Sequence, residues 1–502
     1  MPFSSSRFIR YLLLASPLLL AIALYGYTLA LPFFMDDGLL FAMIRDYPGG
    51  QPGFRFWGGA PSFSYYRPMG FTVWELNGIL FDGRYDPVGL HLLNVFVYGI
   101  GSVGLSLLVK RLTGKISIGV LAGLLFVLFP FNYNAVMWVA SLFHILAVTG
   151  ILLAIYFALA FIEKKRAAIS LILCLISTFM AVFSHENGVL VLPLLAMLLL
   201  FRDGWRAIFN RRAWVIGILM ALIVGVYLYY FATVPRPGAD AQFRPEMALD
   251  NLGILLEGLV YPFAATFYRL TLTDICMPGL PTDCTSPMIL IVMAVLLIVP
   301  GLFFLWRTSD RLFRLAGYAL FWTMLASLPT ALFLETTYIV GSWRLLLILA
   351  PGVAIFHAIL LYSLWRTTHK YQRFTQGITV ILVLWMVGIS IIFLLRRRDE
   401  AFIHTVYFRA LQTEISEHAR GDTPLIVNAP AFITTAKAHR IFPTVSMGMI
   451  FVADFVNYNL LIEGESGERF LYVNALAYHQ ILDAPEWIDY APFQNYGTVD
   501  FT

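Results

Sequence analysis

Charge is what this chain has least of. Of 502 residues only 13% are Asp, Glu, Lys or Arg, while 59% are hydrophobic. So little charge cannot clothe a water-soluble fold of this size, and uncharged runs of membrane length recur along it, each near the roughly 20 residues a helix needs to cross the hydrocarbon. Cysteine is also scarce, with three residues, Cys174, Cys276 and Cys284. A disulfide-built fold is excluded. GxxxxGK[ST], HExxH and paired CxxC motifs are missing as well, so nucleotide and structural-zinc chemistry lack support, and nothing points to nucleic acid.

What is present is a series of apolar runs separated by charge. They lie between Arg10 and Asp36, Asp86 and Lys110, Lys115 and Glu163, Arg166 and Arg202, Arg212 and Arg236, Asp283 and Arg307, Arg314 and Glu335, Arg344 and Arg366, and Arg373 and Arg396. The third holds two spans turning at "FPFNYN", and the fourth holds two turning near "SHENG", which gives eleven spans. The first run is too long for a signal-peptide core and stays as a span. With the N-terminus in the cytoplasm, "KRLTGK", "EKKR", "RDGWRAIFNRR", "RTSDRLFR" and "RTTHKYQR" all fall inside. Only "RRRD", after the last run, is basic on the outer side. Residues 251–270, with Glu257 and Pro262, read as an outer-face or partly inserted amphipathic helix, because a full crossing there would turn the later basic clusters outward.

Polar residues gather on the outer side of this arrangement. Asp36 and Asp37 follow 25 uncharged residues and open a loop, 34–87, too long to be a mere connector. A carboxylate there could take a proton from a substrate at the lipid boundary, or the pair could cap the next helix. Arg67, His91, Asn94, His185, Glu186, Glu335, Tyr338 and Arg344 fall at the same face, where polar groups beside lipid tend to line a cavity. Arg269 and Arg344 are placed to hold a lipid phosphate through paired donors. Cys276 and Cys284 sit in an outer loop that permits a disulfide, and Cys174 reads as a small apolar residue.

Six stretches in order, "FMDDGLLF", "YYRPMGFTVWELNGILF", "YDPVGLHLLNVFVYG", "FPFNYNAVMWVASLFHILAV", "SHENGVLVLPLLAMLL" and "LLEGLVYPFAATF", resemble the GT-C type membrane glycosyltransferases. Within these the chain looks most like the protein-O-mannosyltransferase-like family and its tetratricopeptide-repeat relatives, over roughly residues 10–365. The resemblance implies a sugar donor on a polyprenyl-phosphate carrier, transfer with inversion at the extracytoplasmic face, and an acidic base in the first outer loop. It assigns Asp36 and Asp37 to the acidic positions, with Asp37 slightly preferred, Arg67 to "YRP", His91 and Asn94 to the second span, and Glu186 to "SKE", where His185 replaces lysine. Glu335 and Tyr338 match "ERYLY" without its arginine, Gly38 stands where many relatives carry a second acid, and the repeats are absent.

The expected whole is an all-α polytopic membrane protein of about eleven transmembrane helices, GT-C-like, with a small C-terminal α/β extracytoplasmic domain. Residues 1–395 form the core, including loop 34–87 and outer segment 233–286. Residues 396–502, where acids outnumber bases thirteen to eight, form the second domain, with strands at "PLIVNAP", "GMIFVADFV" and "RFLYVNAL" after a helix over "FIHTVYFRALQTEISEHA". No cofactor is firmly implied. The partners are the lipid-linked donor, the membrane, and an unidentified glycan, lipid or protein acceptor. The alternatives are a lipid-linked sugar transporter or flippase, a noncatalytic membrane assembly protein, and ligation of a whole oligosaccharide from a lipid diphosphate. A bacterial or archaeal plasma membrane is the expected location.

Overall fold

A computed structural model describes residues 5–33, 36–47, 51, 53–59, 65–82, 85–234, 243–271, 287–367 and 371–418, with five short strands beyond. Sixteen helices follow in chain order: α1 (Ser5–Tyr25), α2 (Asp37–Asp46), α3 (Pro68–Leu80), α4 (Pro87–Thr113), α5 (Ile116–Val127), α6 (Tyr133–Met137), α7 (Leu142–Ile162), α8 (Ala167–Ser184), α9 (Val191–Asp203), α10 (Arg211–Thr233), α11 (Ala248–Thr271), α12 (Pro287–Thr308), α13 (Asp310–Phe333), α14 (Thr336–Gly341), α15 (Ala350–Trp365) and α16 (Gln372–His418). Among the described residues ten helices are long and apolar enough to cross a membrane, and eleven if the bent segment from Ile116 to Met137 counts as one. This is an integral membrane protein.

Its centre is α7, apolar on every face and enclosed by α4, α8 and their neighbours, as an all-round hydrophobic helix must be. Close approach needs small residues. Gly99, Gly101 and Gly104 of α4 lie against Leu18, Thr149 and Leu153, so that a Cβ on Gly101 would come within 2.5 Å of the Thr149 hydroxyl. The GIGSVG spacing there is a helix-packing device, because these glycines sit inside a helix and not in a phosphate-cradling turn.

The two ends of the bundle differ in charge. At one, Glu163 pairs with Arg111, Lys165 and Arg202, while Arg212 donates to Phe161 O and Arg311 to Leu112 O. That end collects the basic connectors. At the other lie α2, α3, α6, α14 and the short turns between them.

The span count agrees with eleven, but its membership needs the geometry. α11 passes on length and apolarity, while α15 has only 16 residues. Yet a Cβ on Gly253 would lie 2.7 Å from Pro287, and Asn251 donates to Ala331 O and Leu334 O. The starts of α11 and α12 therefore share one end with the finish of α13, whereas two successive simple crossings would start at opposite ends. Farther along, Trp385 Nε1 of α16 donates to Thr266 and Tyr261 packs near His357 of α15, so α11 descends into the bundle from that end.

The small C-terminal α/β domain is corrected. Its expected helix is the continuation of α16, a single 47-residue helix that runs unbroken through the 395/396 boundary and reaches about 70 Å at 1.5 Å per residue. Beyond His418 the described residues are only strand fragments of two or three residues: β1 (Leu425–Val427), β2 (Phe432–Thr434), β3 (Met449–Phe451), β4 (Leu471–Tyr472) and β5 (Thr498–Asp500). β1 lies parallel to β4 and β5, and β2 pairs antiparallel with β3, but beyond His418 the described residues hold no helix of their own to complete an α/β unit. The helical periodicity of 402–419 was real; what it reflected was an overlong final span.

The "RRRD" exception also finds its cause. Arg397 is buried, pairs with Glu400 at 2.7 Å and lies over the Tyr133 ring, while Arg398 pairs with Asp399. A basic cluster in which two of three arginines are paired within one helix turn carries less weight in a charge count of exposed loops.

Candidate active site

The polar end is built from helix starts and sharp turns, where backbone leaves the helical ladder and side chains converge. Asp36 precedes α2 and makes no side-chain capping bond, so capping does not account for it. It is half-buried, and its Oδ1 has no hydrogen-bond partner. Burial raises its pKa above the usual carboxylate value, opposed chiefly by the positive charge of Arg344 and more weakly by Arg67.

Asp37 is wholly buried and has a different role. Its Oδ1 accepts from Ala140 N at 2.7 Å, and Asn94 Nδ2 donates to Trp138 O at 2.9 Å. Two distant elements thus pin the turn 138–140. Its Trp138 ring lies 4.2 Å from the Arg344 guanidinium, a cation–π platform, and Asn134 accepts from Arg344 N. Arg344 Nη2 donates to the Tyr338 hydroxyl at 2.8 Å. Burial lowers the Arg344 pKa, opposed by Tyr338 and Asp36.

Across from these, Arg67 holds Glu186 through Nε and Nη2, both at 2.8 Å, while its guanidinium sits 4.2 Å from the Tyr65 ring. The Arg67 pKa is raised, Glu186 overcoming the loss of solvation. This bidentate pair joins the segment before α3 to the turn between α8 and α9. His185 belongs to that turn, with Nδ1 accepting from Asn187 N, and the His144 ring lies 4.2 Å from its own. The turn fits only because Gly188 has no side chain, since a Cβ there would come within 2.2 Å of Ala181 O. Gly188→Ala is expected to displace His185 and Glu186 and to cut any activity of the site by about tenfold or more, with a lower melting temperature as the accompanying sign. A normal melting profile with full activity would show the turn to be more tolerant than its packing implies.

The sequence-selected residues therefore separate. Asp36, Arg67, His185, Glu186, Tyr338 and Arg344 come together. Asp37 and Asn94 sit behind them as buried supports. His91 is buried in the first turns of α4. Glu335 pairs with Arg244 at 2.8 Å on a more exposed flank. Arg269 lies on α11, its side chain outside the described residues, as are Cys276 and Cys284. Cys174 is buried and free, its thiol donating to Ala154 O. His144 was not selected from the sequence, although a histidine inside an apolar span was a sufficient signal. Trp138 and Tyr65, which flank the two arginines, carried no signal of their own.

No sequence family matches this chain, nor does any curated protein. Solved structures do resemble it. The archaeal oligosaccharyltransferase AglB from Archaeoglobus fulgidus, in complex with an inhibitory peptide and a dolichol-phosphate, matches with a TM-score of 0.50 at 12% identity over 83% of this chain. The chain spans 59% of that protein's length. ArnT from Cupriavidus metallidurans bound to undecaprenyl phosphate matches with a TM-score of 0.52 at 12% identity, over 99% of this chain and 90% of that one. At such identity the likeness speaks for the fold alone, and this chain shares the membrane-helix fold of these two proteins.

Proposed function

We propose that this protein transfers one sugar, with inversion, from a polyprenyl-phosphate carrier to an acceptor at the extracytoplasmic face, in the manner of the protein-O-mannosyltransferase-like enzymes. The observation that carries this reading is Asp36, a half-buried carboxylate with one unpartnered oxygen in the electrostatic reach of Arg344. Asp36 takes the acceptor hydroxyl proton as the acceptor oxygen attacks the anomeric carbon. The bond from that carbon to the phosphate oxygen breaks, its electron pair leaves with the carrier phosphate, and Arg344 faces the added negative charge. Asp37, first in line on sequence grounds, takes the supporting role because its Oδ1 is engaged with a backbone amide.

A monophosphate donor suits the charge balance. Arg67 is committed to Glu186, which leaves Arg344 as the cation coupled to Asp36 most strongly. The ligand-bound forms of the two similar proteins, one with dolichol-phosphate and one with undecaprenyl phosphate, support the same donor class. The orientation that places this end outside rests on the basic opposite end. Residues 1–395 are the catalytic core in this reading, prolonged by α16.

The test supplies purified protein in lipid nanodiscs with labelled polyprenyl-phosphate hexoses and a panel of glycan, lipid and peptide acceptors. Free carrier phosphate is expected only when an acceptor is present. Donor binding and movement across a bilayer with no carrier release under any acceptor would replace the transferase reading by a transporter.

A further inference from the structure

We propose that His185, in contact with the His144 ring, reads an uncharged oxygen of the transferred sugar through its Nε2–H. This rests on the transfer reading for its substrate, but the observation is separate. Asn187 N–H donates to His185 Nδ1 at 3.1 Å. A backbone N–H cannot become an acceptor, so Nδ1 keeps its lone pair and the ring proton of the neutral imidazole lies on Nε2. Glu186 Oε2 is 3.3 Å from the same Nδ1, but an Nδ1 that carried a proton toward it would leave the Asn187 N–H without its acceptor. The tautomer follows from the partners.

Nε2 is then a donor, buried on a side chain 5% exposed, with no hydrogen-bond partner. Buried donors are seldom left unmade in folded proteins, and one beside a candidate site is suited to a substrate oxygen. The His144 ring, 8% exposed, packs against it at 4.2 Å between centroids, tilted by 42°. His185 directly precedes Glu186, the partner of Arg67, while Arg344 is bonded to Tyr338, so the histidine belongs with the Arg67 pair and not with the cation assigned to the phosphate. Burial first, then the two arginines, hold the His185 pKa well below its ordinary value, so the ring stays neutral.

The test compares the parent protein with His185→Gln, His185→Phe and His144→Phe on polyprenyl-phosphate hexoses and their monodeoxy series, measuring donor binding as well as kcat/KM. Glutamine restores a donor near Nε2; phenylalanine keeps the ring and removes it. One deoxy position should cost the parent about tenfold to a hundredfold, His185→Phe should lose a similar factor on the hexose, and the two losses should not multiply. His185→Gln should stay within about tenfold of the parent, and His144→Phe should narrow the gap between the hexose and that deoxy sugar. Multiplicative losses at every deoxy position, or equal activity of the Gln and Phe variants, would overturn the proposal. Absence of carrier release by the parent would refute the transfer reading instead, and the binding series would still decide whether His185 reads the sugar.

Discussion

Asp36→Asn is expected to lower turnover by about 10²- to 10⁴-fold, the usual worth of a positioned general base, while leaving donor affinity within a few-fold. Asparagine keeps the size of the side chain and a carbonyl acceptor but cannot take a proton at neutral pH. Asp37→Asn should behave differently. Its retained carbonyl can still accept from Ala140 N, so turnover falls little, whereas Asp37→Leu leaves that buried N–H unpaired and costs about 1–3 kcal/mol of stability. Steady-state turnover alongside thermal melting separates the two. Near-parent turnover of Asp36→Asn, with a large loss in Asp37→Asn at unchanged stability, would restore the order suggested by sequence and remove Asp36 from the mechanism.

The second large effect is expected from Arg344→Leu. It removes a charged hydrogen-bond partner of the carrier phosphate, worth about 1.5–3 kcal/mol, or a little over tenfold to about 150-fold in kcat/KM. Lysine should rescue it only in part, because a point charge neither lies flat on Trp138 nor keeps the fork that reaches Tyr338. The substitution carries a second signature. Arg344 lowers the pKa of Asp36 against the raising effect of burial, so its removal lets that pKa rise. A base with a higher pKa is protonated at higher pH, and the acid limb of the kcat/KM profile should move upward in Arg344→Leu. A rate loss with an unmoved acid limb would mean that the group titrating in that limb is not Asp36. Unchanged rate and limb together would reduce Arg344 to an interfacial residue.

Several of these residues were visible without a structure, and for a common reason. Asp36, Arg67, Glu186 and Arg344 are charges at the ends of apolar runs, and the cost of such charges beside lipid marks them one by one. Their roles were not visible. Asp36 and Asp37 are neighbours of the same type, yet one has an unpartnered oxygen and the other is tied to an amide 103 residues away. Arg67 stood in a long loop with no partner legible until Glu186, 119 residues on, took both sides of its fork. His144 was marked by its place inside an apolar span, but its neighbour, His185, is supplied only by the fold.

By itself the sequence determined that the chain lies in a membrane, how many apolar segments it holds, and which end of the bundle is basic, because transfer free energy and charge are sums over local residues. It also carried the resemblance to the GT-C type. Only the tertiary structure decided that α11 starts beside α12, that the helix expected in a separate outer domain belongs to α16, and which polar atoms are spent on one another. Hydropathy is insensitive to those matters. The partner of a buried donor or acceptor is fixed by which distant segment packing brings within about 3 Å, and that is a property of the folded chain as a whole.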